Sequence, residues 1–163
     1  MRLSASILVS RPIETVFAWI TQPEHVVHWL QSRLDVVEGE TVQPLRISAG
    51  EIQDVSAVPL HEGATFRYVS PESSSSTIEI TEYLPPRTFS FEVFNTGSSL
   101  SEQRSRYSMI LQPVGEETRL SYTMTIYPGC LWNLIAQLSA PLSRKVLMQQ
   151  MRELKAQLEA QTL

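Results

Sequence analysis

Cysteine is nearly absent from the 163 residues: Cys130 stands alone, so neither an internal disulfide framework nor a cysteine-cluster metal site can form. Folding needs no thiol chemistry, and the composition suits a reducing compartment. Aspartate is scarce, with only Asp35 and Asp54, and the chain lacks G-x-S-x-G, a phosphate-cradling glycine loop and a dinucleotide fingerprint. Nucleophilic and nucleotide-dependent catalysis lose most of their support, and no cofactor is expected. Basic excess is missing too. Thirteen Lys+Arg against 17 Asp+Glu give a formal charge of −4, the wrong sign for a domain that grips phosphate backbones, so nucleic acid is not an expected partner. The only mildly basic region is the C-terminal 33 residues, with four basic and two acidic groups. Long apolar runs are lacking: within the first twelve residues, MRLSASILVSRP, only Ile7-Leu8-Val9 is continuously apolar, and nothing reaches the roughly 18 residues of a membrane span. The expectation is a soluble, cytoplasmic protein.

What the chain does have is 42% hydrophobic and 18% charged residues, enough to close one core, and residues 1–163 read as a single domain. Leu3, Ala5, Ile7 and Val9 occupy alternate positions of an opening strand. The period then changes. Pro12 fits the first turn of a helix, Glu14 lies where the macrodipole favours acid, and Ile13, Val16, Phe17 and Ile20 share one face, with Ser10 or Arg11 as the expected cap. Thr21-Gln22-Pro23-Glu24 has a capping-box spacing and predicts a second short helix carrying His25 to Trp29.

Residues 34–62 mix β-branched residues such as Val36, Val37 and Ile47 with Gly39, Pro44, Gly50 and Pro59, which suggests short strands and an exposed loop. From Gly63 the alternation sharpens. Phe66/Tyr68, Ile78/Ile80, Phe89/Phe91/Val93, Tyr107/Met109/Leu111 and Leu120/Tyr122/Met124/Ile126 predict five strands, each with one buried and one wet face, as in an antiparallel sheet. Turn-like breaks fall at 70–76, Pro85-Pro86, 95–99 and 113–117. After Pro128-Gly129, Leu131, Leu134, Ile135, Leu138, Leu142, Leu147, Met151, Leu154 and Leu158 recur as on one long amphipathic helix, with a kink or a break expected at Pro141.

This order of elements is an α+β layout in which the sheet must curl round the helix. Pro12-x-Glu14-x-Val16-Phe17, followed by Pro23-Glu24 and Trp29, is the most specific piece of a wider pattern. It is joined by Gly63-Ala64-Thr65-Phe66, Ile80 to Arg87 with Leu84-Pro85-Pro86-Arg87, Gly115 to Leu120 with Thr118-Arg119-Leu120, and the Leu-rich C-terminal helix. With these the chain resembles, over nearly its whole length, the START-like, polyketide cyclase (SRPBCC) helix-grip superfamily. The resemblance implies a curved antiparallel sheet of about seven strands wrapped around the terminal helix. It further implies an apolar cavity between them, used by members for lipids, sterols, polyketides, hormones or aromatic compounds, while other members are protein-interaction modules.

The residues expected to line such a cavity are Phe66, Tyr68, Ile80, Phe91, Tyr107, Met109, Tyr122 and Met124 from the sheet, facing Trp132, Ile135, Ser139 and Leu142 from the helix. The plain alternative is that they are ordinary core. Arg104 and Arg106 share one parity of their strand and would reach either the cavity or, paired with Glu79, Glu82 or Glu92, the wet face. His25 and His28 lack a third ligand by spacing, so no metal site is expected. Cys130, near a helix start, is more simply a small buried hydrophobe than a reactive thiol.

Three functions stay open. The first is binding of a small hydrophobic or aromatic ligand. A cyclase, aromatase or dehydratase in which Tyr107, Tyr122 or a buried Arg polarises a carbonyl is the second, though no general base is evident. The third is a protein-interaction module with a filled cavity, which would meet its protein partner through Arg144, Lys145, Arg152 and Lys155 or the 38–62 stretch.

Overall fold

A computed structural model describes residues 2–30, 50–69, 75–96, 103–127 and 132–160. In chain order the elements are β1 (Arg2–Val9), α1 (Ile13–Ile20), α2 (Pro23–Leu30), β2 (Glu51–Gln53), β3 (Thr65–Val69), β4 (Ser75–Leu84), β5 (Thr88–Thr96), β6 (Gln103–Val114), β7 (Glu117–Tyr127) and α3 (Trp132–Ala160). All strands pair antiparallel in one seven-stranded sheet of order β1-β7-β6-β5-β4-β3-β2. This is the curved helix-grip α+β architecture that the sequence resembles.

Register shows why alternation was informative. Leu3 lies opposite Met124, Met124 opposite Tyr107, Tyr107 opposite Phe91, and Phe91 opposite Ile80. Directly opposed residues share a face, so five strands deliver their apolar parity to one side. The register of β4 shifts between Ile80 and Glu82, leaving Thr81 as the extra residue of a bulge, a device that bends a strand and helps the sheet curl. At the β6–β7 connection Val114 pairs with Glu117, so the turn is only Gly115-Glu116, and Gly115 takes φ 63°, a left-handed value that glycine adopts without steric cost.

Local expectations about helix ends need correcting. The N-cap of α1 is Pro12, without a side-chain cap; Ser10 and Arg11 are used elsewhere. Thr21 does not form the expected capping box, because its hydroxyl donates to the Phe17 carbonyl at 2.9 Å and closes the end of α1 instead. His25 and Val26 donate their backbone N–H groups to the Gln22 carbonyl, starting α2 there. The break expected at Pro141 is also absent: α3 is one helix of 29 residues. The 34–62 stretch yields β2 on the edge of the sheet, paired with β3, while Val36, Val37, Gly39, Pro44 and Ile47 lie outside the described residues.

Candidate functional site

The interface between α3 and the sheet is built by spacing along the helix. Leu147, Met151, Leu154 and Leu158 follow one another at three- to four-residue steps and are all buried, and α3 packs chiefly against β1. The C-terminal end of α3 is then fixed by polar contacts. Arg11 donates from Nε to the Leu158 carbonyl at 3.2 Å and from a terminal nitrogen to the Glu159 carbonyl at 2.8 Å, satisfying acceptors that a helix end leaves without partners. Arg11's own carbonyl accepts from the Thr118 hydroxyl at 2.8 Å, tying the clamp to β7. Ser10 donates its backbone N–H to Glu159 Oε1 at 2.8 Å and its hydroxyl to Glu117 at 2.8 Å. The Ser10 N–H, with Lys155 one turn away assisting, holds the Glu159 carboxyl below its usual range against the opposing effect of burial.

Three to four turns N-terminal to the clamp, the same interface opens. A space of about 410 Å³ lies between α3 and the β1–β7 pair, bordered by Ser4, Ala5, Ser6, Ser121, Tyr122, Thr123, Arg144 and Met148. Ala5 and Tyr122 are direct register partners, so a methyl group on one strand faces a phenol on the next and leaves volume beside it. The flanking hydroxyls pair across the strands, Ser4 with Thr123 at 3.1 Å and Ser6 with Ser121 at 3.3 Å.

Away from this space the concave face carries a run of aromatic rings in contact. Ring centres are 5.4 Å apart for Phe17 and Tyr83, 6.1 Å for Tyr83 and Phe89, 5.6 Å for Phe89 and Phe91, 4.9 Å for the stacked Phe91 and Tyr107, and 6.2 Å for Tyr107 and Tyr122. The chain of contacts therefore runs from α1 through the core to the edge of the open space. At that edge Tyr122 is buried, and its burial, reinforced by Tyr107, pushes its hydroxyl well above the ordinary tyrosine range. At neutral pH the group is a phenol that can donate a hydrogen bond and cannot act as a base.

The eight sheet residues expected to line a cavity all fall on this one face. Phe66, Tyr68, Ile80, Phe91, Tyr107 and Met109 belong to the buried core, Met124 packs partly buried against it, and Tyr122 borders the open space. Trp132, Ile135, Ser139 and Leu142 are positions of α3 whose side chains lie outside the described residues, as do Trp29, His28 and Cys130. Arg104 and Arg106 are exposed. Arg104 donates to Glu92 from Nε at 2.8 Å and from a terminal nitrogen, which settles that parity as the outer face. His25 Nδ1 lies 2.7 Å from the Trp19 carbonyl with its ring stacked on Trp19, and among the described residues no three His, Cys, Asp or Glu side chains gather as metal ligands. Ala5, Arg144 and Met148 were not among the expected lining residues. The available signal was the one small residue at an inward position of β1 and a cation in register with the apolar stripe of α3.

A seven-stranded antiparallel sheet curled on a long terminal helix, with space left between the two, defines the helix-grip class. The chain belongs to the polyketide cyclase / dehydrase and lipid transport family, which matches residues 1–159. Several solved structures share the fold. Protein MLL2253 from Mesorhizobium loti is 16% identical, with 100% of both chains covered and a TM-score of 0.65. The Aha1 protein from Colwellia psychrerythraea, solved as a dimer, is 14% identical over 98% of this chain and 97% of its own, with a TM-score of 0.57. Ara h 8.0201 is 10% identical, with 99% of each chain covered and a TM-score of 0.61. No curated protein matches the chain. Among the described residues no helix is long and apolar enough to cross a membrane.

Proposed function

We propose that this chain, acting as one domain, binds a small, mainly apolar molecule between α3 and the β1–β7 end of the sheet. One observation carries the reading: the space of about 410 Å³ beside Ala5, Tyr122 and Met148 lies within the range of about 300–1,000 Å³ over which proteins hold small ligands. Burial of apolar ligand surface supplies the affinity at about 25 cal/mol per Å². The family's description, which joins cyclases and dehydrases with lipid transport, supports an apolar guest in either case. Phe91, Tyr107 and Met124 form the wall behind Tyr122, and Trp132, Ile135, Ser139 and Leu142 are proposed to complete it from the helix.

A cyclase-type reading draws support from Tyr122, a neutral phenol able to polarise a carbonyl. The described lining, however, includes neither a carboxylate nor a histidine to remove a proton, which favours binding over turnover.

Native mass spectrometry of freshly purified protein, with a thermal-shift screen of medium-chain alcohols, sterols and naphthols, tests the proposal. A ligand present at 100 times its Kd stabilises the native state by about 2.7 kcal/mol and raises the melting midpoint by several degrees. A protein that purifies without adduct and whose midpoint none of these molecules moves would overturn it.

A further inference from the structure

Arg144 occupies an unusual place on α3. It precedes Leu147 by three residues and Met151 by seven, and seven residues return an α-helix to within about 20° of the same side. It therefore continues the stripe that Leu147, Met151, Leu154 and Leu158 bury, yet carries a charge, is exposed and borders the open space. Arg67 pairs with Asp54, Arg104 with Glu92 and Lys155 with Glu159, and Arg11 meets the carbonyls at the end of α3. Among the described residues no carboxylate pairs with Arg144. Arg144 borders the same space as Ala5, Tyr122 and Met148, in a chain whose formal charge is −4.

We infer that the ligand of this space is an amphipathic acid, whose apolar body lies on Ala5, Tyr122 and Met148 and whose carboxylate pairs with Arg144. The inference deepens the binding proposed above and rests on it. A planar guanidinium matches a carboxylate in a two-pronged contact, and a ligand carboxylate seated there keeps access to solvent at the exposed rim. A space of about 410 Å³ accommodates one medium-length chain or a fused aromatic acid.

The test is isothermal titration of the full chain with decanoic acid, 1-decanol and decylamine at pH 7.5, repeated with Arg144→Gln and Arg144→Lys. Decanoate should bind the wild type about tenfold more tightly than 1-decanol, and decylamine more weakly than either. Arg144→Gln should bring acid and alcohol within about twofold of each other, Arg144→Lys should keep part of the preference, and added salt should shrink it. Equal affinities for acid and alcohol in the wild type, or a preference that survives Arg144→Gln, would overturn the assignment while leaving apolar binding intact. If none of the three binds, both readings fall. Should Arg144→Gln fold poorly, the acid-to-alcohol ratio of the wild type and its salt dependence decide the question alone.

Discussion

The two ends of the α3–sheet interface obey different rules. At the C-terminal end, Leu154 and Leu158 are about 1% exposed and Arg11 closes the helix onto the β1–α1 junction. Toward the N-terminal end, Met148 is only half-buried and Arg144 is exposed beside an unfilled volume. One stretch fixes the helix, and the other borders open space. A helix anchored this firmly on one side of a pocket can border it without losing its attachment, because packing and hydrogen bonds coincide at the anchored stretch.

The largest expected effect separates these ends directly. Leu154→Ala should cost about 2–5 kcal/mol in urea unfolding, since it removes fully buried methyl groups from a site that cannot collapse. Met148→Ala, beside open space, should cost less than about 1 kcal/mol. Equal losses would mean that the open end is packed as tightly as the closed one, and the contrast would disappear.

Tyr122 stands at the boundary, and its titration reports on which side it belongs. Its folded pKa lies above the unfolded value of about 10, so the native state favours the protonated phenol. Stability should be unaffected by this group below pH 10 and fall above it, as the unfolded chain releases the proton first, at up to about 1.4 kcal/mol per pH unit. Tyr122→Phe should lose that increment of alkaline slope. Unfolding midpoints measured between pH 9 and 11 would show parallel slopes in the two proteins if the hydroxyl were in fact in contact with water.

The strands were legible in the sequence because burial on one face imposes a period of two, as at Phe89, Phe91 and Val93, and the stripe of α3 was legible for the corresponding helical reason. The cap at Ser10 was misread because a distant partner outcompeted a local one. Ser10 has the residue type of a cap, but its hydroxyl is taken by Glu117, 107 positions away, and no short window of sequence contains both. The expected cavity walls were the large inward side chains, and several of these meet ring against ring on the concave face. The described space lies beside a small one. Ala5 becomes informative only once the register sets it against Tyr122, and Arg144 only once the helix is known to pass above them.

The smallest effect on stability, and the sharpest on binding, is expected from Ala5→Leu. In a filled core three added carbons force side chains off their rotamers and cost about 1–3 kcal/mol. Beside the open volume the same carbons have room, and the apolar surface they bury offsets their loss of rotamer freedom, so stability should move by no more than about 1 kcal/mol. The new side chain then occupies the place proposed for the ligand's body, and affinity for decanoate and 1-decanol should fall together by more than tenfold, whereas Arg144→Gln weakens the acid selectively. A variant destabilised by 2 kcal/mol or more that still binds both probes at wild-type affinity would place the guest elsewhere, because it would show the floor at Ala5 to be already full.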